Sequence, residues 1–312
     1  MAAAYTKVVD LLCVHGTAVA PTQFSMQMSS RKKIGSSCAI LLSLAVLNSC
    51  SADKKADAAQ PVARKEGSVD PRPTVVDAPT QPYRAVPVSG GARLTGTVDF
   101  DGPMPADSII TIPPEVQGCG SRVTARAVER TGTKIGEAVV WLADIRTGKV
   151  LPTERRFELA NDECLLTPRV QAVLTPGTLN MASEDVAMHH NHIIDVATGE
   201  LAGIAPFNDN GEVVPFDRLL TKPAQLEISC TLHPWSKAWI LAFDHPYFAV
   251  TARNGLFDIA DIPAGTYKVK AWHPRLGSAE QTITVASGQP ASLALKLGAV
   301  AAPAPPAVPD SQ

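Results

Sequence analysis

The sequence predicts an all-β protein of sandwich type, on three grounds. Between about residue 91 and residue 298 the apolar residues fall in short runs that alternate with polar ones, as in Leu94-Thr-Gly-Thr-Val-Asp-Phe100 and Gln281-Thr-Ile-Thr-Val285. Alternation of period two sends successive side chains to opposite faces of a strand. The runs are separated by Gly, Pro, Asn and Asp, which turn the chain after a few residues. No stretch keeps a helical period over three turns.

The whole chain sets outer bounds. Its 312 residues allow one large domain or two small ones. A formal charge of −2 leaves no basic footprint, so nucleic acid is not an expected partner. Six cysteines are too few for a disulfide scaffold and are read one at a time.

Taken in order, the chain opens on an expected export signal. Arg31-Lys32-Lys33 is a basic start, and 34–47 is an apolar run too short to span a bilayer. It ends in Leu47-Asn48-Ser49-Cys50, which resembles a bacterial lipobox; this implies lipidation of Cys50, and Ser51 is compatible with delivery to the outer membrane. An ordinary signal peptide with an incidental Cys50 is the alternative. Residues 1–50 are thus expected to be a dispensable extension plus signal, with Met26 or Met28 as the start and Cys13 and Cys38 absent from the mature protein. Residues 51–90, rich in Ala, Pro, Asp and Lys, bury too little to offset the entropy of ordering and are expected to be a disordered tether. The Ala/Pro tail 299–312 has the same character.

Within the folded part, Ala138-Val-Val-Trp-Leu142, Ala224-Gln-Leu-Glu-Ile-Ser-Cys230, Ala238-Trp-Ile-Leu-Ala-Phe243 and Tyr267-Lys-Val-Lys-Ala-Trp272 read as strands. Asn254-Gly255 marks a hairpin between Phe248-Ala-Val-Thr251 and Leu256-Phe-Asp-Ile259, and Ile262-Pro-Ala-Gly265 turns the chain again.

Chemistry concentrates at the end of the Ala224 run, in Cys230-Thr-Leu-His233-Pro-Trp-Ser236. A thiolate and an imidazole around one tight turn suit copper or zinc. Upstream lies the only histidine cluster, Met188-His189-His190-Asn191-His192. Cys, His and a distant His are the equatorial set of a blue-copper site. The alternative is a buried structural cysteine beside a turn histidine. On a strand, His190 and His192 share the face opposite His189, so the three cannot converge without a bulge.

Two resemblances follow from these motifs. Asn254-Gly-Leu-Phe-Asp-Ile-Ala-Asp-Ile-Pro-Ala-Gly-Thr-Tyr-Lys-Val269 resembles the carboxypeptidase regulatory-like (transthyretin-related) β-sandwich. Residues 155–248 resemble the cupredoxin (plastocyanin-like) family. The carrying residues are Thr175-Pro-Gly-Thr-Leu-Asn180, Asp185-Val-Ala-Met-His189, the Cys230–His233 turn, His245-Pro-Tyr-Phe-Ala-Val-Thr251 and Ala271-Trp-His273. Together they cover most of 92–277 and are densest over 224–277. The implied architecture is a Greek-key sandwich, its cupredoxin-like part packed with or inserted in a regulatory-like sandwich. First regulatory-like strands fall in 91–154, the cupredoxin-like region in 155–248 and closing strands in 249–298.

The cupredoxin resemblance implies one copper held by His189, Cys230 and His233, with His190 a rival for the upstream position, and a one-electron carrier rather than an enzyme. The implied partner is a redox protein of the cell envelope, facing the periplasm. Where the related pattern has an axial Met this chain has Ser236. That leaves open copper with an oxygen or empty axial position, a zinc site, a copper store or donor, and a non-redox binding module with a degenerate site. Met188 and Met181 are the neighbouring thioethers, with packing in strand cores as their other reading. His192 completes the cluster as a further near-site residue.

In an exported chain Cys119 and Cys164 are expected to pair, stabilising the fold by about 3–4 kcal/mol in the chain-entropy model; two buried thiols are the alternative. Pairing leaves Cys230 free. Trp235 either shields the site, relays electrons or simply packs in its loop. His245 is accounted for by its turn, and His273 by a strand end or a second metal or substrate site. Arg169 is expected to be solvated or salt-bridged.

Overall fold

The computed structural model describes Val76 and residues 78–298. The export signal with Cys50, most of the 51–90 segment and the 299–312 tail lie outside the described residues. Those residues contain strands and no α-helix. The alternating runs become strands because each has one apolar face to bury, and four larger sheets do the burying in two pairs.

The first pair is built from residues 156–243. One sheet orders Leu165–Thr167, Arg156–Asp162, Gly177–Ser183 and Val213–Leu220. The other orders Val170–Leu174, Lys237–Phe243, Ala224–Cys230, His189–Asp195 and Leu201–Phe207. Leu159, Leu179, Met181, Ile193, Phe207, Leu226 and Ile228 fill the space between them. A side chain such as Leu179, fully buried, contributes about 1.5–3 kcal/mol.

The second pair uses strands from both sides of the first in sequence. One sheet orders Phe248–Val250, Val139–Ala143, Gly265–His273 and Gly277–Val285. The other carries Leu256–Ile262 against Ala92–Asp99, which also pairs in parallel with Ala291–Lys296. Its core holds Leu94, Val98, Ile135, Leu142, Tyr247 and Val269. The Val139–Ala143 run is buried on both faces, which explains its unbroken apolar sequence. Val140 and Leu142 face that core, whereas Val139 and Trp141 join Val170, Leu241, Phe243 and Trp272 in a third cluster that ties the two pairs together.

The segment assigned to the tether ends earlier than its composition indicates. Arg84–Ala85 pairs in parallel with Thr147–Gly148. Val86 N–H donates to the Gly148 carbonyl at 2.7 Å, and the Tyr83 hydroxyl to the Lys149 carbonyl at 2.7 Å. One aromatic ring packed on the second core and a few main-chain bonds are enough to order a Pro-rich segment.

Arg169 is salt-bridged: its Nε donates to Glu137 Oε2 at 2.9 Å, and its guanidinium also reaches the carbonyls of Arg126 and Ala127. His245 and His273 are both buried. His245 accepts the Tyr247 N–H at Nδ1, and His273 accepts the Arg275 N–H. Burial holds each imidazole neutral, with its pKa lowered from 6.5 to about 3; Arg146 adds to the effect at His245, and Arg169 and Arg275 at His273. The unfolded chain therefore binds more protons between those values. Stability from these two groups is complete above about pH 6.5 and falls as the pH drops, by roughly 1.4 kcal/mol per pH unit for each histidine. Urea midpoints should drop between about pH 7 and pH 5; a midpoint that holds steady contradicts the assignment.

Candidate metal centre

The centre is made by strand register. In the antiparallel pair His189–Asp195 and Ala224–Cys230, Asn191 stands opposite Cys230. Residues opposite each other share a face, so Cys230, Asn191 and His189 all point inward. Ala224–Cys230 ends there, and its next turn is closed by Ser236 N–H to the His233 carbonyl at 2.8 Å and Cys230 N–H to the Ser236 carbonyl at 3.2 Å. That turn folds His233 back over the sulfur.

Three donor atoms converge as a result. Cys230 Sγ is 3.5 Å from His233 Nδ1 and 3.7 Å from His189 Nδ1, and the two Nδ1 atoms are 3.1 Å apart. All three residues are buried, and Cys230 is the free thiol among the described cysteines. An ion about 2.0–2.1 Å from each nitrogen and about 2.3 Å from the sulfur fits a triangle of this size. The donor chemistry, one thiolate and two imidazoles, suits copper or zinc.

The outer faces of these side chains are held as well. His189 Nε2 lies 2.9 Å from Asp185 Oδ2. An ionised carboxylate only accepts, so Nε2 carries the proton and Nδ1 turns its lone pair inward. The same Asp185 oxygen accepts the Cys164 N–H at 2.9 Å. His233 Nε2 faces Cys119 Sγ at 3.4 Å. The sulfur of Cys230 accepts the His190 N–H at 3.4 Å. Burial lowers the pKa of His189 against the pull of Asp185, and lowers that of His233 with help from His189. Both shifts favour the neutral imidazole that a metal needs.

Cys119 and Cys164 form a disulfide with Cα atoms 5.5 Å apart, and it stands beside the centre. Cys164 and Glu163 are the middle of a two-residue turn between Arg156–Asp162 and Leu165–Thr167, with φ of 58° and 51°. Neither is glycine, so the turn holds backbone strain of order 1–3 kcal/mol per residue. Trp235 Nε1–H donates to the Cys164 carbonyl at 3.1 Å, and its ring centroid is 5.2 Å from that of His233. Trp235 and Cys119 also line a cleft of about 950 Å³ with Arg122, Arg169 and Lys237.

Other residues of the sequence set lie elsewhere. His190 and His192 occupy the opposite face of their strand, with ring centroids 4.9 Å apart, and His190 Nδ1 is 3.3 Å from the Thr231 hydroxyl. The bulge in this strand falls at Ile193 and Ile194, beyond the histidines, and so does not turn His190 inward. Met188 is not a core residue: it is 58% exposed, because it precedes the first paired residue of the strand. Met181 is in the first core, and Met104 packs on the second. Ser236 is fully buried, and its hydroxyl has no partner among the described residues.

Asp185 and Cys119 are read from the sequence as part of a motif and of a disulfide, but their contacts with the two imidazoles are not. Asp185 sits four residues before His189 in a loop, where spacing carries no signal for a shared face. The contact of Cys119 with His233 spans 114 residues and exists only after folding.

Comparisons with known proteins add the following. The family model described as polysaccharide lyase family 4, domain II, matches residues 233–293, less than half of the chain. None of the curated proteins matches. Among solved structures, similarity is found to a copper-containing nitrite reductase (NirK) from Thermus scotoductus SA-01, at 22% identity and TM-score 0.26, over 31% of this chain and 24% of that one. The chain thus spans about a quarter of that enzyme's length. It is also found to amicyanin from Paracoccus versutus, at 9% identity and TM-score 0.25, over 30% and 84%. A purple cupredoxin from Nitrosopumilus maritimus matches at 15% identity and TM-score 0.23, over 28% and 98%.

Asp185→Ala should lower stability by about 1–3 kcal/mol, because the buried Cys164 N–H loses its acceptor. It should also weaken divalent-metal binding by about 10–100-fold, through loss of the partner that orients His189. Asp185→Asn, which keeps an accepting oxygen, should fall between the two. Denaturant melts and metal titrations of the three proteins check this, and unchanged metal affinity in Asp185→Ala contradicts it.

Proposed function

We propose that the protein binds one copper ion through His189, Cys230 and His233 and serves as a one-electron carrier. The observation that carries this reading is the buried triangle of one thiol sulfur and two imidazole nitrogens, with edges of 3.1 to 3.7 Å. Copper held by such donors supplies a one-electron couple. The side chains do the rest. Cys230 and the two imidazoles are fixed on paired strands and a closed turn, so the donors move little when the charge of the site changes. Burial excludes water from the sulfur. The His190 N–H withdraws charge from that sulfur and favours the reduced state.

The cellular setting belongs to the same proposal. The basic start, apolar run and Cys50 support export and a lipid anchor on the periplasmic side of the envelope, with the outer membrane favoured by Ser51. The partner would be a redox protein of that compartment. The strands on both sides of 156–243 would form the regulatory-like sandwich that carries the metal-binding one.

A second reading has its own observation. Met181 and Met104 pack in the cores and Met188 is exposed, while Ser236 stands where an axial Met is expected. A hard oxygen or an empty position suits zinc, or a copper store or donor, as well as a redox site. Spectroscopy separates these. The purified chain titrated with Cu(II) should take up one ion and develop an intense visible thiolate-to-copper band with narrow hyperfine splitting, and Cys230→Ser should abolish the band. Colourless binding of Zn(II) without a copper chromophore would favour the second reading.

A further inference from the structure

We infer that the Cys119–Cys164 bridge is a positioning element of the metal centre, so that opening it to two thiols weakens and alters metal binding at His189, Cys230 and His233. This rests on the metal-binding reading above and goes beyond a general stabilising role for the bridge.

Each half of the bridge serves one imidazole. Cys119 Sγ is 3.4 Å from His233 Nε2, the nitrogen turned away from the centre. The Cys164 N–H donates to Asp185 Oδ2 at 2.9 Å, and the same oxygen receives His189 Nε2 at 2.9 Å. Cys164 also accepts the Trp235 N–H, and the Trp235 ring leans on His233. The outer nitrogens of both histidine ligands are thus set by atoms that the bridge holds in place.

Opening the bridge disturbs both contacts at once. The two sulfurs, bonded at about 2.0 Å, must part to non-bonded distance. They do so in a packed space among Ile112, Val123, Ala187 and Trp235, where both cysteines are buried. Cys119 Sγ then shifts against His233. Glu163 and Cys164, non-glycine residues with positive φ, lose the cross-link that keeps their turn and are free to relax. That relaxation turns the Cys164 N–H away from Asp185, and Asp185 no longer fixes His189.

The chemistry that opens the bridge has an approach. Cys119 is in the wall of the cleft beside Trp235. A small dithiol entering there attacks the Cys119 sulfur as thiolate. The Cys119–Cys164 bond breaks, a mixed disulfide forms, and Cys164 takes up a proton. The second thiol of the reagent then displaces Cys119, which is protonated in turn, and leaves as the cyclic disulfide. Two electrons pass from dithiol to bridge. Because coupling between two sites is reciprocal, metal in the centre must in turn resist the opening.

The test uses Co(II), which binds thiolate with a visible charge-transfer band and is not reduced by thiols. The full chain with the bridge closed is compared with the double variant Cys119→Ser/Cys164→Ser, with near-ultraviolet circular dichroism as the check on folding. Binding at least tenfold weaker in the folded variant, with a shifted thiolate-to-cobalt band, is expected. If the variant does not fold, the unaltered protein decides: once a water-soluble phosphine has opened the bridge, Co(II) should bind at least tenfold more weakly than before. Equal affinity and an equal band in the folded variant, or an affinity unchanged by opening the bridge, overturns the inference while leaving the metal site standing. No thiolate band in the unaltered protein removes the metal site itself.

Discussion

The register of one antiparallel strand pair is the constraint on which the centre depends. With Asn191 opposite Cys230, the inward face of His189–Asp195 and the last inward position of Ala224–Cys230 meet at one end of a sheet. Side chains alternate with period two, so a slip of one residue would replace His189 by His190 and turn the ligand outward. What prevents the slip is the core behind it. Ile193 and Ile228 stand opposite each other and fully buried, and whichever strand slipped by one residue would turn its isoleucine to the other face, at a cost of about 1.5–3 kcal/mol. Packing in the sandwich therefore fixes the chemistry at its edge.

Around that register the molecule spends its buried polar groups on orientation. Asn191 Nδ2–H donates to Asn161 Oδ1 at 3.1 Å and ties the two sheets of the first pair together behind His189 and Cys230. Asp185 serves a backbone N–H and an imidazole with a single oxygen. The disulfide brings Cys119 Sγ to 3.4 Å from His233 Nε2. Each of these groups is buried, so each is costly unless paired and informative once paired. The Ser236 hydroxyl is without a partner among the described residues, as are Asn191 Oδ1 and His273 Nε2, and it sits where the cupredoxin resemblance leads one to expect an axial Met.

Much of the fold was legible because it rests on local period. Alternation in Leu94–Phe100 and Gln281–Val285, the Asn254-Gly255 turn and the doubly buried Val139–Ala143 run each speak for a strand without knowledge of its neighbours. The Cys230-x2-His233 turn was legible for the same reason, as two donors on one tight loop. Residues whose role depends on a distant partner were not. Met188 reads as an apolar strand residue, yet it is exposed because pairing starts one residue later. Tyr83 orders a segment whose composition argues for disorder, through bonds to Lys149, 66 residues away. Asp185 and Cys119 meet the histidines only after the sheets close.

The central claim is that one sulfur and two imidazoles share a single ion. X-ray absorption at the copper edge of the copper-loaded chain reads that shell directly. One sulfur at about 2.3 Å with two imidazole nitrogens at about 2.0–2.1 Å is the result expected. A shell of nitrogen and oxygen alone, with no sulfur, would contradict it.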